Sequence, residues 1–195
     1  MEKIRSVQLT SLIHLTEGSY LLSFLRDFDF QPGQVIGINM GNQQPARLYS
    51  IASGNQEKEV RVLFTIKDDG YLTPKLAQCR PGDKIDISEP FGNFICREKD
   101  ACLIAAGTGI APFASMIFSG MSEGKTLIHG SRLISQFYFQ NELSSLLKQE
   151  YIRCCSTEEL EGVYYGRLTH YLNERKSLPN NRKYYLCGSA EMVVD

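Results

Sequence analysis

No stretch of about 18 apolar residues runs anywhere in the 195-residue sequence, so no transmembrane helix is expected. The first residues, Met1-Glu2-Lys3-Ile4-Arg5, carry charge, and no apolar segment of the signal-peptide kind follows them. Neither sign of charge is in excess. Twenty-one Lys and Arg face 22 Asp and Glu, for a net charge of -1, which argues against a general nucleic-acid-binding surface. Cys-x-x-Cys pairs are also absent. The six cysteines, at 79, 96, 102, 154, 155 and 187, lack metal-ligand spacing and read as reduced, buried thiols. Such thiols fit a cytoplasmic setting. Cys154 and Cys155 are neighbours on an expected strand, so they point to opposite faces and are not expected to form a redox pair. There is no internal repeat and no low-complexity tract. What remains is a chain with 43% hydrophobic residues, enough for a substantial core in one large domain or two small ones.

The first half of the chain alternates short apolar runs with turn residues. Strands are expected around Ile4-Val7-Leu9, over Tyr20 to Leu25, Val35 to Ile38, Arg47 to Ser53, Glu59 to Ile66 and Lys84 to Ser88. Gln31-Pro32-Gly33-Gln34 and Arg80-Pro81-Gly82-Asp83 are turns between them. This spacing suggests a small antiparallel barrel. A short helix is expected over Thr73 to Ala77, with Thr73 as its N-cap and Pro74 in its first turn.

The pattern changes at the polar break Arg97-Glu98-Lys99-Asp100, which places a domain boundary between residues 97 and 98. Beyond it, strands at Leu103 to Ala106, Lys125 to His129, Tyr151 to Cys155 and Arg182 to Leu186 alternate with helices. Those helices are expected over Ala111 to Gly120, from about Gln136 to Lys148, and over Leu168 to Glu174. Alternation of this kind implies right-handed crossovers and a parallel sheet, whose ligands bind at the carboxyl ends of its strands.

One such end carries Gly107-Thr108-Gly109-Ile110-Ala111-Pro112. Two glycines let the backbone approach a ligand, and Pro112 suits a first helical turn. The free N–H groups and positive dipole end there favour an anion, most often a phosphate. Pro112 stands where the dinucleotide fingerprint has its third glycine.

Four motifs in order now resemble the ferredoxin–NADP reductase superfamily. Arg47-Leu48-Tyr49-Ser50 looks like its R-x-Y-S flavin motif, and Gly70-Tyr71-Leu72-Thr73 with Leu76 like its second flavin motif. Gly107 to Pro112 matches its G-T-G-I-A-P segment, and Cys187-Gly188-Ser189 resembles its C-G-x motif. The resemblance spans residues 47 to 189. It implies an antiparallel six-stranded FAD-binding β-barrel over residues 1–97, followed by a parallel-sheet α/β NAD(P)-binding domain over residues 98–195.

The resemblance also implies roles. Arg47, a planar multi-donor cation, would meet the flavin pyrophosphate. Tyr49 would lie against the isoalloxazine, and Ser50 would hydrogen-bond flavin N5. Phe64, Thr65 and Ile66 would run along the flavin, mainly through backbone. Tyr71, Leu72 and Thr73 would close over the pyrophosphate. Gly107, Thr108, Gly109 and Pro112 would receive the nicotinamide nucleotide, with Cys187 and Gly188 beside the nicotinamide. Cys187 would act there by positioning and packing, since no histidine base lies near it in sequence. Arg132, Ser156 and Arg167 would frame a ribose 2′-phosphate, so NADP is expected over NAD. Against this, Thr157 stands where an arginine is common, and Glu158 and Glu159 follow.

Members of the family usually continue for a further helix and strand after C-G-x, so the second domain is expected to lack these. The implied activity is hydride transfer from NAD(P)H to FAD and onward transfer of single electrons to ferredoxin or flavodoxin, by a monomer or weak dimer. Two other readings share the fold: a flavin or ferric reductase or the reductase component of an oxygenase, and a non-autonomous electron-transfer subunit such as the flavin subunit of some dihydroorotate dehydrogenases.

Overall fold

The structure is a computed structural model and describes residues 4–41, 44–175 and 179–194. It divides into two compact units between Ile95 and Cys96. The first holds β1 (Ile4–Thr16), β2 (Ser19–Leu25), β3 (Val35–Asn39), β4 (Arg47–Ser50), β5 (Glu59–Thr65), α1 (Thr73–Leu76) and β6 (Lys84–Ser88). All pairings are antiparallel, in the order β4-β3-β6-β1-β2-β5. The two edge strands meet where Ile51 bridges Val62 and the Ala52 N–H donates to the Arg61 carbonyl, which closes the barrel.

Period-two patterning fills the barrel. Leu22 and Phe24, Ile36 and Ile38, Val60, Val62 and Phe64, and Ile85 and Ile87 all point inward from successive strands. The expected strand at Ile4 to Leu9 runs on to Thr16. Its first part pairs with β6 and its later part with β2, with the register shifting between Leu9 and Ser11. A bulge there bends the strand so that one segment serves two partners. The expected strand from Arg47 to Ser53 is shorter, ending at Ser50.

The N-cap of α1 is Leu72 rather than Thr73. Thr73 Oγ1 instead accepts the Lys67 backbone N–H at 2.9 Å, and the Gly70 N–H donates to the Lys67 carbonyl. The threonine thus closes the preceding loop and leaves the helix end uncapped by a side chain.

The second unit holds β7 (Ala101–Ala106), α2 (Ala111–Phe118), β8 (Lys125–Ser131), α3 (Gln140–Leu147), β9 (Tyr151–Cys155), β10 (Tyr164–Tyr165), α4 (Leu168–Glu174), β11 (Lys183–Cys187) and α5 (Ala190–Val194). Its strands are all parallel, in the order β10-β9-β8-β7-β11. From Ala101 to Ala105, β7 is buried on both faces, hence its unbroken apolar run. The helix expected from Gln136 starts at Gln140, because Phe139 takes the left-handed conformation at φ 60° and residues 134–136 form a separate 3-10 turn. The two-residue strand β10 and the short helix α5 are additions to the sequence reading. The one is too short, and the other too polar at its start, for periodicity to show.

Lys125 opens β8 and is almost wholly buried. Its Nζ donates to the carbonyls of Glu98 at 2.6 Å and Lys99 at 2.8 Å, while the Tyr185 hydroxyl donates to the Glu98 carboxylate. The ammonium thereby fastens the polar segment before β7 to the sheet. Lys125→Met is expected to cost about 1–3 kcal/mol, because two part-buried carbonyls lose their charged donor. Urea unfolding checks this, and an unchanged midpoint would contradict it.

Candidate functional site

In the first unit the candidate residues gather where β4, the end of β5 and the loop before α1 come together. The exposed Arg47 lays its guanidinium over the Tyr71 ring, 5.6 Å from the centroid. Tyr71 is held in turn by its hydroxyl, which donates to the Pro45 carbonyl. Arg47 makes no ion pair among the described residues. An aromatic face, not a carboxylate, supports it, so its charge stays available to an anion. Two residues on, the half-buried Tyr49 meets Phe64 edge to face at 6.5 Å, and Phe64 stacks on Tyr20 at 5.5 Å. Burial pushes the Tyr49 phenol up to about 12, Tyr71 adds to this and Arg47 opposes it. Tyr49 is thus a neutral aromatic surface at any physiological pH. The half-buried Ser50 hydroxyl makes no hydrogen bond among the described residues. Leu48, between Arg47 and Tyr49, is 60% exposed.

The acceptor side of the Thr73 hydroxyl is taken by Lys67, which leaves its O–H to donate. Phe64 and Leu72 are each 2% exposed and belong to the barrel core, so only their backbone is left to a ligand. Ile66 turns its N–H inward to the Gly18 carbonyl, and Thr65 Oγ1 lies 3.2 Å from Ser19 Oγ.

In the second unit the parallel sheet brings its candidates to the carboxyl ends of its five adjacent strands. Arg167 follows β10, Ser156 follows β9, Arg132 follows β8, Gly107 follows β7, and Cys187 ends β11. The turns are tied to one another. The Ser156 N–H donates to the Ser131 carbonyl, the Thr157 hydroxyl to the Arg132 carbonyl, and the Ile134 N–H to Glu158 Oε2 at 2.6 Å. The Glu158 carboxylate is therefore fixed beside the turn that carries the exposed Arg132.

The two glycines after β7 do different work. Gly107 has φ +54°, and a Cβ there would meet nothing within 4 Å. That face of the turn is open. A Cβ on Gly109 would lie 2.6 Å from the carbonyl carbon of Cys187 and 2.8 Å from the Gly188 nitrogen. Gly109 is therefore glycine because the end of β11 occupies its side-chain position. Pro112 is buried in the first turn of α2, where it shapes the helix start. Burial raises the half-buried Cys187 thiol, so it stays protonated near neutrality and is no ready nucleophile.

From the sequence, His129 stood only as the last residue of an expected strand. It is fully buried on β8, with Nδ1 2.9 Å from the Tyr151 hydroxyl and the ring edge-on to Phe137 at 5.2 Å. Strand alternation places it on the same face as Leu127, and that was the available signal. The guanidinium platform on Tyr71 had no sequence signal, since it depends on a contact between β4 and a distant loop.

An antiparallel barrel followed by a parallel α/β sheet with loaded strand ends defines a two-domain oxidoreductase architecture. The profile of the oxidoreductase FAD-binding domain matches residues 18–95, and that of the oxidoreductase NAD-binding domain matches residues 103–195. The ferredoxin–NADP reductase of Azotobacter vinelandii is 30% identical over 197 residues, covering 84% of this chain and 75% of that protein. The phenol hydroxylase P5 protein of Acinetobacter pittii is 29% identical over 189 residues, which cover 86% of this chain, and the match spans 52% of that protein's length. A ferredoxin NADP+ reductase from Neisseria gonorrhoeae, solved with bound FAD and NADP, shares the fold with a TM-score of 0.87 at 19% identity, covering 100% of this chain and 89% of that one. The chain belongs to the ferredoxin–NADP reductase superfamily.

Burial pulls the His129 imidazole down to about 4, and the nearby Gly107 backbone partly opposes this. Between pH 6.5 and 4 the unfolded chain binds this proton and the folded chain does not. Stability therefore falls as pH drops through that window, by up to about 3 kcal/mol at pH 4. Urea unfolding of the wild type and His129→Gln at pH 7 and pH 4 isolates the effect, since other groups titrate equally in both. The stability difference is expected to shift toward the variant at pH 4, and a difference independent of pH would contradict it.

Proposed function

We propose that the chain is a flavin-dependent oxidoreductase that oxidises NAD(P)H and delivers electrons to a one-electron carrier such as ferredoxin or flavodoxin. The observation that carries this reading is the joint presence of two prepared sites in one chain. One is a barrel in which Arg47, without an ion pair among the described residues, lies on Tyr71 beside the neutral Tyr49 ring. The other is a parallel sheet with five loaded strand ends.

The residues present fit FAD. Arg47 and the Thr73 O–H offer a cation and a donor suited to a pyrophosphate, which FMN lacks. Tyr49 offers an uncharged face that excludes water from one side of a flavin ring. Ser50 brings a hydroxyl, without a hydrogen bond among the described residues, to donate to a ring nitrogen. FAD, when bound, supplies the hydride acceptor and the means of releasing electrons singly. The protein holds and orients, and no acid–base pair is needed for the hydride step.

For the nicotinamide nucleotide, the open Gly107 turn offers its backbone N–H groups to the pyrophosphate. Cys187 presents a neutral, half-buried sulfur beside that turn. Arg132 and Arg167 are cations for a 2′-phosphate and favour NADPH, while the fixed Glu158 carboxylate limits that preference.

A second reading rests on the relative named for phenol hydroxylase. The same chemistry would then serve an oxygenase as its reductase component.

FAD is expected to co-purify with the protein or bind when added. Arg47→Ala is expected to weaken FAD binding about 10-fold or more, through loss of a charge-assisted contact, with little effect on FMN. A purified protein that binds no flavin would overturn the proposal. The ratio of kcat/KM for NADPH to that for NADH is expected to exceed one, and parity or an NADH preference would overturn the 2′-phosphate assignment.

A further inference from the structure

Arg132 lies just beyond the paired part of β8, since the last rung of the β8–β9 ladder joins Ser131 to Cys155. Its exposed side chain has no ion pair among the described residues. Its backbone, by contrast, is held on both sides. The Ser131 carbonyl accepts the Ser156 N–H at 3.1 Å. The Arg132 carbonyl accepts twice, from the Cys155 thiol at 3.1 Å and from the Thr157 hydroxyl. Further along, the Leu133 carbonyl takes the Ser131 hydroxyl at 2.9 Å, and the Ile134 N–H donates to Glu158 Oε2 at 2.6 Å. The segment that supplies these groups is itself anchored from the far side, where the Gly166 N–H donates to the Cys155 carbonyl at 2.7 Å. Where the strand ladder stops, side chains of residues 155–158 take over its work.

We infer that Thr157 is a specificity-determining positioning residue: together with the Cys155 thiol, its hydroxyl locks the backbone of Arg132 and so presents the guanidinium to a ribose 2′-phosphate. This rests on the reading of Arg132 as a contact of that phosphate. The peptide unit is planar, so a held carbonyl fixes the plane of its whole unit. The Ser131 carbonyl fixes the plane before the Arg132 Cα, and the Arg132 carbonyl fixes the plane after it. With both planes set, the direction in which the side chain leaves the backbone is set as well. Both lone pairs of the Arg132 carbonyl are engaged, so the second plane cannot swing without losing two donors. Thr157 is exposed, yet its O–H is spent inside the protein and not on solvent. An exposed arginine on a fixed backbone has less freedom to lose when it meets its ligand. The placing matters because the Glu158 carboxylate is fixed on the same turn and bears the same sign of charge as a phosphate. NADH has no 2′-phosphate, so its binding does not draw on this device.

The test uses the FAD-loaded protein with ferricyanide as electron acceptor. It measures kcat and KM separately for NADPH and NADH, with melting temperature alongside, in wild type, Thr157→Val, Thr157→Ser and Arg132→Ala. Valine keeps the shape of threonine and loses the hydroxyl, whereas serine keeps the hydroxyl. Thr157→Val is expected to raise KM for NADPH about 3–10-fold, the loss expected for one hydrogen bond, and to leave KM for NADH within about twofold of wild type. Thr157→Ser is expected to stay within about twofold of wild type with both nucleotides. An unchanged KM for NADPH in Thr157→Val would overturn the inference. So would equal rises for NADPH and NADH, which mark a merely structural residue, or a serine variant that behaves like the valine one. Arg132→Ala separates the underlying reading, and is expected to lower the NADPH to NADH ratio of kcat/KM about 10-fold or more. If Arg132→Ala leaves that ratio as in wild type, Arg132 does not meet the 2′-phosphate and the inference falls with the reading. If Arg132→Ala lowers the ratio and Thr157→Val does not, the reading stands and the inference alone is overturned.

Discussion

The second unit depends on one close approach, the packing of Gly109 against the end of β11. The carbonyl of Cys187 and the nitrogen of Gly188 occupy the space a Cβ would take. Two stretches far apart in sequence, the Gly107–Pro112 turn and Cys187-Gly188, are thereby one piece of structure. Pairing of β11 with β7 sets it up, with Cys187 opposite Ala105. A Cβ on Gly188 would in turn come within 3.0 Å of the Ala106 side chain. Any larger residue at Gly109 would push the last strand away from the first and open the row of strand ends.

The first unit meets a comparable demand by another route. A cation meant for a ligand must not be spent on a neighbouring carboxylate. Arg47 is laid on the Tyr71 ring, whose face attracts it without neutralising it. Thr73 is similarly half-engaged, its oxygen taken by Lys67 and its hydrogen left over. Arg5 pairs with Asp27 and Glu89, Arg26 with Asp29 and Arg61 with Glu57, while Arg80, like Arg47, makes no ion pair among the described residues.

Much of this was legible in the sequence, for a physical reason. Period-two runs such as Val60, Val62 and Phe64, and buried runs such as Ala101 to Ala105, report directly on which faces are covered. The order of the four motifs located the candidate residues along the strands. What was not legible depended on contacts between distant segments. Thr73 has the composition of an N-cap, and only the fold brings Lys67 to its hydroxyl. Phe139 has no local feature that announces a left-handed φ, so the helix start fell four residues late. Gly109 looked like a ligand-facing glycine because the sequence does not show that β11 ends on top of it. His129 was hidden in the same way, since its hydrogen-bond partner is Tyr151 on the neighbouring strand.

A barrel with candidate flavin residues precedes a sheet with candidate nicotinamide-nucleotide residues, in a chain of the ferredoxin–NADP reductase superfamily. We propose that the two sites work together in redox chemistry. Anaerobic addition of NADPH to the FAD-loaded protein tests this most directly. Bleaching of the oxidised flavin absorbance is expected at near one equivalent of NADPH, with its return when an electron acceptor is added. A flavin that binds yet stays oxidised with both NADPH and NADH in excess would contradict it.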